Sequence, residues 1–184
     1  MEWSEERYDE FVKLLEEKHP KMFSYPYGGV CVGEGWWDII RLLSAQIDSY
    51  VKWKRNTRAY DLRYNRALER GYSAMLKFVM KGKDPALANT LQLEQAEANA
   101  SGEPRHVTER VEYVTVHQIK EKFGGLRFYF QGGDDHVRGL VDMAETWAGH
   151  SCEICGNKGK RRDGGWVKTL CDEHEVERQA RMKQ

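Results

Sequence analysis

Long apolar runs, net charge and secretion signals are all lacking in this 184-residue chain, and each absence excludes a class of protein. No stretch approaches the roughly 20 consecutive apolar residues that a membrane-spanning helix needs. Twenty-nine Lys and Arg balance 29 Asp and Glu, so overall charge does not indicate a polyanionic partner. The acidic first six residues have no signal-peptide pattern. We therefore expect a protein of the cytoplasm, with no membrane partner.

Cysteine is scarce too, because only four occur, and three of them lie between residues 152 and 171. Clustered cysteines in a cytoplasmic chain indicate a metal site rather than disulfides. Cys31 stands alone in the apolar segment Gly29–Gly33, which predicts a buried thiol. The sequence has no G-x-S-x-G and no P-loop, and its histidines lie on separate predicted elements. These absences favour a protein that is not an enzyme, without deciding the question.

The pattern of residues 1–100 predicts a mainly helical region. Ser4 is a helix-capping residue, and the apolar stripe of Tyr8, Phe11, Val12 and Leu15 predicts a helix over residues 4–18. A Gly- and Tyr-rich loop is expected from Met22 to Gly35. Apolar residues at 3/4 spacing then predict a helix from Trp36 to Leu68, on the order of 50 Å long. Gly71 interrupts the pattern, Asp84-Pro85 predicts the start of a helix reaching about Ala100, and residues 101–104 form a linker.

Residues 107–150 form the second predicted region, a β-hairpin plus a helix. Period-two alternation over 111–119 and 126–130 predicts the hairpin with a turn at Gly124-Gly125, and Asp134 caps the helix that follows. Residues 151–184 form the third region, a zinc knuckle with a C-terminal helix over 175–184, which can make one compact domain with the preceding part. The expected fold class is α+β: a helical N-terminal half with a long helix, a small antiparallel hairpin or sheet plus a helix, and a zinc ribbon-like knuckle.

The spacing Cys152-x2-Cys155, then fifteen residues, then Cys171-x2-His174 is the strongest chemical signal in the chain. Two short-spaced ligand pairs joined by a longer excursion place four ligands around one tetrahedral zinc ion. Four protein ligands leave no open position, which predicts a structural ion. Nucleases of the HNH type use similar cysteine pairs but need a further His and a second metal. No His lies between Cys155 and Cys171, so a nuclease remains only as a degenerate alternative.

Basic residues make a second class of candidate, as contacts to a partner or to nucleic acid. One set surrounds Trp166 on the zinc excursion, and another surrounds Gly124-Gly125, where a phosphate cradle for a nucleotide is the alternative to a plain turn. The long helix carries a net charge of +5 over residues 51–72, and the first helix carries −5, which favours internal pairing. The candidate contacts are Lys158, Lys160, Arg161, Arg162, Trp166, Lys168, Lys120, Lys122 and Arg127.

The aromatic stripe of the long helix comprises Tyr50, Trp53, Tyr60 and Tyr64. At 3/4 spacing such a stripe is more often part of a core than a stacking platform. It also suits a homodimer seam, because helices pair along stripes of this kind.

Three strings, "IKEKFGGLRFYFQGGDDHVRGLVDMAE", "CEICG" and "GGWVKTLCDEH", resemble a family of small uncharacterised bacteriophage and prophage proteins. The likeness covers about residues 107–175, with a weaker echo at "GEGWWDIIRLLSAQI". Only the metal set Cys152, Cys155, Cys171 and His174 transfers from that family, which brings no established activity.

The resemblance implies a phage accessory protein that acts inside a bacterial host by binding a host protein, for instance a defence or regulatory protein that it inhibits. Two alternatives stay open. One is a zinc ribbon-like protein that binds DNA or RNA, and the other is a small-ligand or nucleotide binder.

Overall fold

The computed structural model describes residues 4–24 and 27–182. Helix α1 (Glu5–Lys18) begins where expected, because Ser4 Oγ accepts a hydrogen bond from the Arg7 amide at 3.3 Å. Phe11 and Leu15 form its buried stripe. The predicted loop 22–35 contains residues 25 and 26, which lie outside the described residues, and a strand that the sequence pattern did not predict.

That strand is β1 (Val30–Cys31), and it corrects two expectations. The segment is not all loop, because Val30 and Cys31 pair in parallel with a later strand at Ile119 and Lys120. Cys31 is exposed rather than buried. Successive strand residues point to opposite faces, and Val30 takes the core side, so the neighbouring thiol faces outward.

The long helix is confirmed as α2 (Trp37–Glu69), followed by α3 (Tyr72–Val79). Gly71 separates the two helices with φ +78°, a value that suits glycine. The helix predicted from Asp84 to Ala100 is wrong in its first part. Asp84 caps only a single 3-10 turn, Pro85–Leu87, and α4 (Thr90–Ala100) has its own start. Asn89 and Gln92 form a capping box there, a stronger start signal than Asp84.

The hairpin is confirmed as β2 (Glu112–Lys122) and β3 (Gly125–Gly133), but its turn lies one residue earlier than expected. Phe123 and Gly124 form the two-residue turn, with φ +54° and +74°. Both central residues of this turn have positive φ, as in a type I′ turn. With β1 the hairpin makes a three-stranded sheet in the order β1-β2-β3, so the sheet is mixed rather than wholly antiparallel.

The C-terminal part follows the hairpin in order. Helix α5 (Asp135–Ala148) is capped by Asp134, as predicted. Two short antiparallel strands, β4 (Lys160–Arg162) and β5 (Lys168–Leu170), then precede α6 (Asp172–Met182). The final helix, predicted over residues 175–184, therefore begins three residues earlier than expected, at Asp172. Residues 183 and 184 lie outside the described residues. The whole is an α+β fold.

The chain divides into two compact units: Met1–Val51 with Val111–Gln184, and Lys52–Arg110. The predicted linker at 101–104 lies inside the second unit. In the first unit, α1, the N-terminal part of α2, the sheet and α5 enclose one core, whose fully buried members include Trp36, Ile40 and Ile119. No helix among the described residues is both long and apolar enough to cross a membrane.

The second unit has a smaller core, made of Tyr64, Ala67, Met75 and Ala96. Arg105 stacks over the rings of Tyr60 and Tyr64, at 5.1 and 4.5 Å from their centroids. The Asn65 side chain donates to the Arg105 carbonyl and accepts from its amide, both at 2.8 Å. Two rings of the aromatic stripe are therefore used within the chain, and a homodimer seam along it stays a prediction.

Candidate metal centre

Cys152, Cys155, Cys171 and His174 lie together, with one possible ligand atom from each within 4.8 Å of the others. His174 Nδ1 is 3.5 Å from Cys152 Sγ and 3.1 Å from Cys171 Sγ, and the Cys155 and Cys171 sulfurs are 3.9 Å apart. Two sulfurs bound to one tetrahedral Zn²⁺ at about 2.3 Å lie ~3.8 Å apart. A disulfide would bring two sulfurs to about 2.05 Å, and all four cysteines are free thiols. The group can therefore hold a metal ion.

The first ligand pair sits on a tight turn that we call the first knuckle turn, residues 151–157. The Gly156 amide donates to the Cys152 carbonyl at 2.8 Å, and the Cys152 amide donates to the Asn157 carbonyl at 2.7 Å. Gly156 has φ +77°, which an L side chain rarely adopts. The glycine of the "CEICG" string is thus required by the turn that brings the two sulfurs to one side.

Residues 33–36, which precede α2, pack directly on this turn from more than a hundred residues away. The Gly35 amide donates to the Glu153 carbonyl at 3.0 Å, and the buried Trp36 indole donates to the Ser151 carbonyl at 2.8 Å. A Cβ added at Gly35 would lie 2.1 Å from the Cys152 carbonyl oxygen, and one at Gly33 would lie 2.1 Å from that of Glu153. Neither glycine can gain a side chain without moving the turn. The pattern Gly-x-Gly-Trp was the available signal, but sequence reasoning did not connect it with the metal group.

The second ligand pair joins β5 to α6. Cys171 follows the last residue of β5, and His174 lies in the first turn of α6. The Glu175 amide donates to the Cys171 carbonyl at 3.1 Å. The excursion between the two ligand pairs folds as the β4–β5 hairpin, so a short sheet holds the ends of the excursion at the metal group.

The knuckle, which we define as residues 151–174, has little apolar core of its own. Among the described residues its buried cluster consists of Cys152, Leu170 and Cys171. Buried Glu153 forms an ion pair with Lys168, and Thr169 Oγ1 donates to the Gly124 carbonyl at 2.6 Å. Two of the three members of this cluster are candidate ligands, so the arrangement depends on what those side chains bind.

The thiols of the first ligand pair affect each other's ionisation. Burial opposes ionisation of Cys152, yet the backbone amides of Cys171, Cys155 and Ile154 lower the pKa of its thiol below the ordinary value. Burial and the neighbouring Cys152 thiol raise the pKa of Cys155 to about 11. Two adjacent thiolates repel each other, and a cation between them removes that repulsion.

Most of the predicted basic contacts are paired inside the chain. Lys160 and Arg162 lie within ion-pair distance of Asp172, and Arg162 also donates to the Leu170 carbonyl. Lys168 pairs with Glu153 and Arg127 with Glu145. Arg161 lies 4.0 Å from Asp163, while Lys158 has no ion pair among the described residues. The basic side chains between the two ligand pairs are therefore largely used in ion pairs within the chain.

The remaining candidates belong to a surface formed by the hairpin turn and the knuckle. Lys120 lies over the Tyr129 ring and Lys122 over the Phe123 ring. Trp166 and Phe123 are 71% and 68% exposed. The Gly124 amide donates to Glu121 Oε1 at 2.6 Å, and the Trp166 indole donates to Glu121 Oε2 at 3.4 Å. Because the Gly124 amide already donates a hydrogen bond to the Glu121 carboxylate, a phosphate cradle at Gly124-Gly125 is not supported.

Two residues that sequence reasoning missed position this surface. Glu121 holds both the hairpin turn and the Trp166 ring. Arg178 of α6 donates to the backbone carbonyls of Trp166 at 2.8 Å and Asp163 at 3.2 Å. Both looked like ordinary charged residues of an amphipathic strand and helix, and no local sequence pattern marks them.

Comparison with known proteins adds no relative: no protein-family model, curated protein or solved structure matches the chain. The function therefore has to be inferred from the arrangement of these side chains alone.

Proposed function

We propose that Cys152, Cys155, Cys171 and His174 bind one structural zinc ion, and that the protein is a non-enzymatic binding protein of the phage type that acts on a host protein. Three thiolates and one imidazole are a ligand set that suits Zn²⁺. A full shell of four protein ligands leaves no position for a substrate or an activated water. The ion then acts as a cross-link for a knuckle whose own apolar core is very small.

The observation that carries the binding function is the exposure of two large aromatic rings. Trp166 is fixed at its indole nitrogen by Glu121 and at its carbonyl by Arg178, yet most of its surface faces solvent. Phe123 has a positive φ that is strained for any residue other than glycine, and its ring is also exposed. Strain and exposed apolar area both lower stability, which points to a role outside the fold. Large aromatic rings held in place are typical interface anchors.

We call the exposed rings of Phe123 and Trp166 the aromatic surface, and we propose that a host protein binds there. The two rings come from adjacent segments, because a Cβ added at Gly124 would lie 3.1 Å from Val167 Cγ1. Gly124 follows Phe123, and Val167 follows Trp166. A protein that inhibits a bacterial defence or regulatory protein needs such a preorganised contact.

Nucleic-acid binding by the zinc loop is less well supported than protein binding, because Lys160, Arg162 and Lys168 already neutralise buried or neighbouring carboxylates. Glutamate at Arg162 would break its contacts with Leu170 and Asp172 and would damage the fold itself. A clean test of the loop uses Lys158 and Arg161 instead, changed together to Gln.

The proposed function is tested by affinity capture from bacterial lysate treated with nuclease, using zinc-loaded protein as bait. We expect one stoichiometric partner with the unaltered chain and none with Phe123→Ala/Trp166→Ala. Leu87→Ala/Leu91→Ala is the matched control, because these two leucines are equally exposed but lie in the other compact unit. The proposal fails if no partner is recovered, or if the two double variants lose it equally.

A further inference from the structure

Three exposed arginines at the end of α2 form a basic face that plays no part in the zinc site or the aromatic surface. Arg63 and Arg66 lie on the last turns of α2, and Arg70 follows its last residue. Spacings of three and four residues place side chains on the same side of a helix. We call Arg63, Arg66 and Arg70 the arginine face.

Among the described residues, the arginine face has no ion-pair partner, whereas three other exposed arginines on helices do. Arg41, Arg138 and Arg181 each pair with a carboxylate three or four residues away on their own helix. Among the described residues, no carboxylate lies within ion-pair distance of Arg63, Arg66 or Arg70. Glu69 lies three residues after Arg66 and forms no ion pair with it. No described residue therefore forms an ion pair with any of the three positive charges.

Helix stability does not explain this arrangement. Like charges three or four residues apart repel each other and destabilise a helix. The helix dipole favours cations at the C-terminus, but its effect falls off within the last turn. It can account for Arg66 and Arg70, but Arg63 lies six residues before the end of α2. A lysine would interact equally well with the helix dipole. All three positions are nevertheless arginine, whose planar guanidinium can bind a phosphate group through two hydrogen bonds.

The composition of the surroundings indicates the kind of partner. The second compact unit carries twelve Lys and Arg against seven Asp and Glu, a net charge of +5. Ala59 and Leu62 lie one turn before Arg63 and Arg66, and Leu62 is only 37% exposed, so three exposed guanidinium groups dominate this side of the helix. A face dominated by charge binds by neutralising repeated charges, and phosphate backbones carry them at regular intervals.

We propose that the arginine face binds the phosphate backbone of a double-stranded nucleic acid, without reading its sequence. Each arginine forms bidentate hydrogen bonds with phosphate oxygens and displaces condensed counterions. This contact is separate from the proposed host-protein contact at the aromatic surface, and either can exist without the other.

The test is fluorescence anisotropy of the zinc-loaded chain with labelled random-sequence duplexes of DNA and of RNA, repeated over a series of salt concentrations. For Arg63→Gln/Arg66→Gln/Arg70→Gln we expect the slope of log affinity against log salt to become shallower by roughly 2 to 3, since each lost phosphate contact removes about 0.9. Affinity at low salt should fall on the order of tenfold or more. The DNA and RNA arms show which duplex the face prefers.

Arg41→Gln/Arg138→Gln/Arg181→Gln is the matched control, because it removes the same net charge from arginines that have internal partners. This control variant should keep most of the slope of log affinity against log salt. Should the Gln triple variant fail to fold, Arg63→Lys/Arg66→Lys/Arg70→Lys keeps the charge and should keep the slope while binding more weakly. The proposal is overturned if the unaltered chain binds neither duplex, if the slope is unchanged in the Gln triple variant, or if both Gln triple variants lose affinity equally.

Discussion

The sheet and the knuckle lie in the same compact unit but are stabilised in different ways. Around β2, β3 and α5, twenty side chains of the described residues form one buried apolar cluster, including Trp36, Ile119 and Leu126. The knuckle has a cluster of three, two of them candidate ligands. Burial at ~25 cal/mol per Å² can stabilise the first region, whereas the second buries too few apolar side chains for that. On the proposed function, the zinc ion replaces a core where the chain is too short to build one.

The largest expected effect comes from Cys171→Ser, which removes one proposed zinc ligand. The knuckle should unfold and lose its metal, because structural zinc binding and folding are coupled and contribute several kcal/mol. The sheet should remain folded, so zinc content should fall to near zero while most of the far-ultraviolet circular dichroism is kept.

Cys31→Ser is the control for this change, because Cys31 is an exposed thiol outside the metal group. Its zinc content and melting temperature should equal those of the unaltered chain. Full zinc content in Cys171→Ser would remove the ligand assignment.

A steric change at Gly35 should have the next largest effect. In Gly35→Ala the new Cβ meets backbone atoms of Cys152, Cys155 and Gly156 at 2.1 to 2.8 Å, so the first knuckle turn must shift. We expect a loss of about 2–4 kcal/mol, as overpacked sites show, and weaker zinc retention in a chelator titration.

Gly139→Ala is the matched control, because no atom lies within 4 Å of the added Cβ in the middle of α5. It should stabilise the chain by ~0.5–1 kcal/mol. If both substitutions raised the melting temperature, the packing of residues 33–36 on the knuckle would be wrong.

Trp36→Phe tests the hydrogen bond that links this segment to the knuckle. Phenylalanine keeps most of the buried ring but cannot donate to the Ser151 carbonyl, which loses its indole partner. We expect the free energy of unfolding to fall by about 1–3 kcal/mol, measured by urea denaturation. Trp37→Phe, on the next residue, is the comparison, because the Trp37 indole nitrogen has no hydrogen-bond partner among the described residues. Equal losses in both variants would contradict the role given to the Trp36 bond.

The smallest change in stability is expected at Phe123, and it should be favourable. Phe123→Gly relieves a φ of +54° in the hairpin turn, which costs a non-glycine residue on the order of 1 kcal/mol. The melting temperature should rise while partner capture falls. Phe123→Ala retains the strain and should lower capture without the gain in stability. If Phe123→Gly were more stable but captured the partner as well as the unaltered chain, Phe123 would not be part of the binding surface.

The parts of the structure that local patterns encode were predictable. Apolar spacing located α2, alternation located β2 and β3, and the ligand spacing located the metal group. The misses came from competition between local signals and from long-range pairing. Helix α4 begins after Asn89, which forms a capping box, and not after Asp84. Phe123 lies in the hairpin turn with a positive φ, which phenylalanine rarely adopts.

Long-range contacts account for the remaining differences. A strand of two residues, such as β1, is too short to show an alternating sequence pattern, so only its pairing with β2 defines it. The exposure of Cys31 therefore could not be inferred from its apolar neighbours in the sequence. The packing of Gly35 and Trp36 on the first knuckle turn joins residues that are far apart in the chain. The Gly-x-Gly-Trp pattern marks one of the two segments, but it does not indicate which part of the chain packs on it.

Hydrogen exchange of the zinc-loaded chain, with and without a chelator, tests the central claim most directly. We predict one zinc ion per chain, and loss of amide protection on chelation that is confined to residues 151–174 and the start of α6. The amides of β2 and β3 should stay protected, because their core does not depend on the metal. Absence of zinc from the purified protein, or unchanged protection of the knuckle after zinc removal, would contradict the account.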